Sequence, residues 1–114
     1  MIKEQSGTII NIASISGKQG IETASIYSAT KHAVIGLSRS LMLEVRKYNV
    51  RVIAVCPGSV ATDFFRKDSN TVLELKTESV LQSEEIAETI LFAATLPVNA
   101  TVTEIELRPT NPRK

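Results

Sequence analysis

Two short runs rich in β-branched residues, Thr8–Ala13 (TIINIA) and Val50–Cys56 (VRVIAVC), constrain this chain more than any other feature. Both are apolar at most positions, so each reads as a strand covered on both faces, the mark of a parallel sheet. Parallel neighbours need a crossover, usually a helix, and the stretch between the two runs supplies one. From roughly Ile26 to Tyr48 there is no Pro and one Gly, Gly36, while Val34, Leu37, Leu41, Val45 and Tyr48 recur at helical spacing. Ala33, Ile35, Met42 and Leu43 widen that stripe, so the helix is expected to pack on two sides, against its sheet and against a partner.

Pro57-Gly58 stops the second strand. Asp63 to Gln82 has mixed polarity and reads as a loop with short helices. Ser83, followed by Glu84 and Glu85, is the expected N-cap of a second helix, with carboxylates that suit the helix dipole. Ile86, Ile90, Leu91 and Ala94 carry this helix to Pro97, and Val102–Leu107 (VTEIEL) alternates as a last strand. The predicted order is β-α-β-α-β, an α/β doubly wound, Rossmann-like parallel sheet with right-handed crossovers. Yet the first strand looks like a sheet interior and begins at residue 8, which leaves an open edge. A partial sheet is therefore expected.

Composition narrows the function. The 114 residues carry a net charge of +1, with 43% hydrophobic and 22% charged side chains, an ordinary globular balance of one domain at most. That excludes a disordered tail, and without clustered Lys and Arg it excludes a nucleic-acid binder. No apolar run is long enough for a membrane span, and Met1–Gly7 lacks the apolar core of a signal peptide. The single cysteine, Cys56, ends an apolar run and is expected to be buried and inert, so a reducing, cytoplasmic setting is the default. Nothing in the His, Cys and Asp spacing supports a metal site. His32 is expected to face away from the chemistry, and Glu84, Glu85 and Glu88 to form a solvated first turn.

Tyr27 and Lys31 lie four apart at the start of the long helix and so project from one face. An ammonium beside a phenol stabilises the phenolate and lowers the phenol pKa, which suits general acid–base work at a carbonyl or alcohol. Ser14 closes the first strand, just past its carboxyl end, where open α/β sheets build their sites. Its hydroxyl can hold a substrate oxygen or simply shape a turn. Pro57-Gly58-Ser59-Val60-Ala61-Thr62 follows the second strand at the same edge.

Together, N-I-A-S-I-S-G at 11–17, Y-S-A-T-K at 27–31 and C-P-G-S-V-A-T at 56–62 resemble the short-chain dehydrogenase/reductase superfamily. The likeness covers essentially all of residues 1–114 and corresponds to the C-terminal half of that family's single domain, with Met1–Gly7 similar to the end of a preceding helix. It implies an NAD(P)-dependent oxidoreductase that moves hydride between a nicotinamide and a carbonyl or secondary alcohol. It implies Tyr27 as general acid or base. Lys31 would lower the Tyr27 pKa and bind the nicotinamide ribose, and Ser14 would orient the substrate. The turn of Pro57, Gly58, Val60 and Thr62 would hold the nicotinamide carboxamide, Val60 through its backbone and Thr62 through its hydroxyl. Ser16 is expected at the substrate pocket. Asp63–Gln82 stands where the family has its substrate-covering loop, with Phe64 and Phe65 as lid or packing residues. The long apolar helix resembles the one through which family members associate, so a homo-oligomer is expected.

The family's glycine-rich fingerprint is not among these residues, nor is the residue that selects NAD or NADP, so both cofactors remain open. A complete sheet of this type usually needs more than roughly 200 residues, and the N-terminal half of the fold is expected to be missing. Two readings follow: a portion of such an oxidoreductase, or a catalytically inactive fragment that acts by association. A sugar-nucleotide epimerase also carries Y-x-x-x-K, but the Ser14 spacing and P-G-S-V-A-T argue against it.

Overall fold

The computed structural model describes residues 1–62 and 79–112. Three parallel strands, β1 (Gly7–Ile12), β2 (Val50–Pro57) and β3 (Glu104–Leu107), lie side by side in the order β1-β2-β3. Helix α1 (Ser25–Val45) connects the first pair, and α2 (Ser83–Ala94) lies between β2 and β3 in the chain. The central strand is almost wholly buried, and its alternation divides the core. Val50, Val52 and Cys56 pack with Val45, Leu41, Met42 and Ile35 of α1, whereas Ile53 and Val55 pack with Ile86 and Ala93 of α2. Each crossover helix thus covers its own face, and the Rossmann-like α/β class is what the chain forms.

Polar side chains also tie the layers together. Asn11 on β1 donates to Ser38 Oγ on α1 at 2.9 Å. On the opposite face Arg51 donates to the carbonyls of Ala94 at 2.7 Å and Leu96 at 3.0 Å, and to Thr8 Oγ1 at 3.2 Å. One guanidinium thereby satisfies carbonyls that the end of α2 leaves unbonded.

Several boundaries differ from the sequence expectations. The long helix ends at Val45 and tightens into a 3-10 turn, Arg46–Tyr48; Asn49, with φ of 55°, then reverses the chain into β2. The N-cap of α2 is Gln82, not Ser83. Gln82 accepts the Glu85 N–H through its side chain while its own N–H donates to the Glu85 carboxylate at 2.9 Å, so both donors are satisfied one residue earlier. Leu91, expected in the apolar stripe of α2, is 64% exposed, because the buried line runs through Ile86 and Ala93. Leu37 of α1 is likewise exposed. The last strand begins at Glu104 rather than Val102. Residues 2–5 form a turn, closed by the Gln5 N–H on the Ile2 carbonyl at 3.2 Å, instead of a helix end. Most of the loop expected over 63–82, with Phe64 and Phe65, lies outside the described residues, although Leu81 bridges Val60 in parallel.

Candidate active site

The register decides where the chemistry-bearing residues arrive. Ile12 pairs with Val55, so β1 and β2 end level with each other. Ser14 leaves β1 and the Pro57–Thr62 turn leaves β2 at the same carboxyl edge of the sheet. There Ser14 caps a single 3-10 turn, Ile15–Gly17, its Oγ accepting the Ser16 N–H at 3.1 Å. The turn docks tightly on α1. A Cβ at Gly17 would stand 2.6 Å from the Lys31 carbonyl oxygen, so only glycine permits this approach. That docking brings the first turns of α1, with Tyr27 and Lys31, over the end of β1. Lys31 Nζ donates to the Ile12 carbonyl at 3.1 Å and stands 5.7 Å from the centre of the Tyr27 ring.

Ser14, Tyr27, Lys31, Pro57, Gly58, Val60 and Thr62 all line one cavity of about 500 Å³. Residues separated along the chain by a helix and a strand thus share one space. Ile12 and Ala13 also line it, and Ser83, Ile86, Ala87 and Ile90 of α2 add to its lining. The α2 residues escape sequence reasoning, because nothing in S-E-E-I-A-E-T-I separates a cavity wall from a core stripe. Ser16 departs from expectation. It is buried behind Ser14, whose hydroxyl donates to it at 3.2 Å, and it does not line the cavity. His32 turns back along its helix, with Nδ1 2.8 Å from the Ser28 carbonyl oxygen. Cys56 is fully buried. Burial first, then the carboxylates of Glu104 and Glu106, pushes its thiol above the usual range and holds it protonated.

The space suits a small organic ligand. Its volume falls within the roughly 300–1,000 Å³ of small-molecule sites, and its lining is mostly apolar with a few converging polar groups. Those groups are the hydroxyls of Ser14, Tyr27 and Thr62 and the ammonium of Lys31. Hydroxyls with one cation can bind and protonate a carbonyl oxygen, and the Pro57–Thr62 turn offers a flat amide ring both backbone and hydroxyl partners. The residues present therefore fit the nicotinamide end of a dinucleotide beside a carbonyl compound. Among the described residues no helix is long and apolar enough to cross a membrane.

Comparison with known proteins gives one answer. Residues 1–73 match the family model described as short chain dehydrogenase. An uncharacterized oxidoreductase of Staphylococcus aureus strain USA300 is 38% identical over 109 residues, which are 96% of this chain and 45% of that protein. Carbonyl reductase family member 4 of Xenopus laevis is 42% identical over 101 residues, 85% of this chain and 42% of that one. Among solved structures, the closed form of serine dehydrogenase complexed with NADP+ superposes with a TM-score of 0.86 at 30% identity, covering 96% of this chain and 46% of that one. The chain thus spans a little under half the length of the curated relatives it matches.

Proposed function

The chain belongs to the short chain dehydrogenase family, and from that premise we propose that it carries the catalytic edge of an NAD(P)-dependent oxidoreductase acting on a carbonyl or secondary alcohol. The observation that carries this reading is the convergence of Ser14, Tyr27 and Lys31 with the Pro57–Thr62 turn on one cavity.

When bound, a nicotinamide supplies or accepts the hydride. The chain's own residues handle the oxygen and its proton. The Ser14 hydroxyl, which donates to Ser16 at 3.2 Å in the ligand-free chain, turns its proton to the substrate oxygen and fixes its direction. The Tyr27 hydroxyl gives a proton to that oxygen in reduction and removes it in oxidation. Lys31 sets a positive charge 5.7 Å from the centre of the phenol ring and presents donors to a ribose. Pro57, Gly58, Val60 and Thr62 hold the carboxamide, Val60 through its backbone and Thr62 through its hydroxyl. Ile12, Ile86 and Ile90 give the reacting carbon an apolar wall. Either NAD or NADP suits this reading, since none of these residues would meet the adenosine ribose.

Ile26, Leu37 and Leu43 of α1 are 81%, 60% and 62% exposed, which supports association of two copies through this helix. The buried, protonated Cys56 accords with a reducing, cytoplasmic setting. The same exposed side chains of α1 favour a second reading, in which these residues alone do not turn over and act by association.

Carbonyl-dependent oxidation of NADH and NADPH by the purified chain, with Tyr27→Phe as control, tests the proposal. Turnover abolished by Tyr27→Phe supports the catalytic reading. Turnover that survives the substitution removes Tyr27 from the mechanism, and absence of turnover favours the associating fragment.

A further inference from the structure

Lys18 stands at the point where the Ser14 turn stops being held. Before it, the Gly17 N–H donates to the Ser14 carbonyl and the Lys18 N–H to the Ile15 carbonyl, both at 2.9 Å. After it, Gln19 to Thr23 are exposed, and Thr23 takes a φ of 66°, a conformation that β-branched residues rarely adopt. The side chain of Lys18 crosses to β3. Its Nζ is 2.6 Å from Glu104 Oε1 and 2.9 Å from Glu106 Oε2. These two glutamates are two residues apart and so share one strand face, while Ile105 and Leu107 between and after them pack toward α2. Arg39 of α1 meets the second oxygen of Glu104 at 3.0 Å, and Arg108 meets Glu106 at 2.6 Å.

We propose that Lys18 is a positioning residue: its paired carboxylates strap the Ser14 turn to β3 and, through Arg39, to the helix that carries Tyr27. The meaning of this strap for catalysis rests on the function proposed above. Its geometry does not. From β3, Glu104 reaches the Ser14 turn with one oxygen and α1 with the other, and those two elements carry Ser14, Tyr27 and Lys31 to the cavity. Isolated surface ion pairs contribute little. Here five charged groups form one network, and the Lys18 and Glu104 side chains keep only 30% and 22% of their surface in solvent. Lys18 is held above its usual pKa, by Glu104 first and then Glu106. Glu104 is held below the usual range by Lys18 first, and Glu106 by Arg108 and then Lys18. Among the described residues, the groups facing this cluster are Lys18, Arg39, Glu104, Glu106, Arg108 and the thiol of Cys56 beneath it.

Backbone amide hydrogen exchange on the ligand-free chain, read by NMR with Ala13 in the same molecule as reference for global opening, tests the strap. In Lys18→Met the protection of the amides of residues 17 and 18 falls about five- to tenfold relative to Ala13, and the Ser14 and Ser16 resonances move. Lys18→Arg keeps the wild-type ratio. In the wild type the same loss accompanies acidification through the carboxylate range, and in Lys18→Met that pH dependence is gone. Unchanged protection in Lys18→Met, or equal loss in Lys18→Arg, overturns the proposal. Should Lys18→Met not fold, the wild type in 1 M NaCl decides: a lowered ratio supports the strap, and an unchanged ratio overturns it. No cofactor or substrate enters this measurement, so its outcome is independent of whether Tyr27 is the acid.

Discussion

Lys31 Nζ donates to the main-chain carbonyl of Ile12 at 3.1 Å, on the edge of β1 that no strand covers among the described residues. The Ala13 N–H bonds the Val55 carbonyl in β2, so the polar backbone groups of Ile12 face the other way. An ammonium here satisfies a carbonyl that β2 does not reach. It also lines the cavity beside Tyr27, so one side chain links the end of β1 to the candidate site. Lys31→Met should therefore cut turnover on the order of 100-fold while lowering stability by only about 1 kcal/mol. Steady-state rates beside urea unfolding of the same variant check this. Equal losses in both would assign Lys31 a structural role alone.

Gly17→Ala is the sharpest test of how the Ser14 turn docks on α1. The added Cβ would meet the Lys31 carbonyl oxygen at 2.6 Å and Ile35 Cδ1 at 2.7 Å, and the backbone atom cannot swing aside. The expected cost is about 2–3 kcal/mol in denaturant unfolding. Gly36→Ala on the same helix, with open space around its Cβ, should instead be neutral or slightly stabilising.

Arg51→Met removes the donors that close the end of α2. The carbonyls of Ala94 and Leu96 would lose a charged partner, and Thr8 Oγ1 its bond from the guanidinium. A loss of about 1–3 kcal/mol in urea unfolding is expected, with faster amide exchange in the last turn of α2. Unchanged stability would show that water replaces the guanidinium at little cost.

The ionic network sets the response to pH. Glu104 and Glu106 have folded-state pKa values below the ordinary carboxylate value, so their stabilisation is present above that value and is lost as pH falls through the lower folded values. Lys18 is raised above 10.5, so its contribution is complete below that value and disappears as pH climbs through the higher folded value. Glu104→Gln should flatten the acid limb of the stability curve. A limb of unchanged slope would place the titrating carboxylates elsewhere.

The sequence pattern reveals the strands, the body of α1 and one edge of chemistry for a shared reason. Each depends on near neighbours: β-branched runs, a helical period, and a serine or Pro-Gly directly after a strand. What it hides depends on partners far away in the chain. Lys18 and Glu106 are 88 positions apart, and no local rule pairs them. The reciprocal bonds that make Gln82 rather than Ser83 the cap of α2 need a particular side-chain geometry that composition does not carry. Ile86 and Ile90 repeat at the spacing of a core stripe, yet they line a cavity, because the end of β1 leaves space opposite them. Ser16 turns inward for a local reason, since a 3-10 turn capped by Ser14 brings the two hydroxyls together.

The most direct measurement is saturation-transfer NMR of NADPH with this chain, combined with amide shifts mapped on the protein. Magnetisation should reach the nicotinamide protons in preference to the adenine protons, and Gly58, Val60, Thr62 and Lys31 should shift together. Preferential transfer to adenine, or shifts confined to residues outside the cavity of Ser14, Tyr27 and Lys31, would contradict a nicotinamide site at this edge of the sheet.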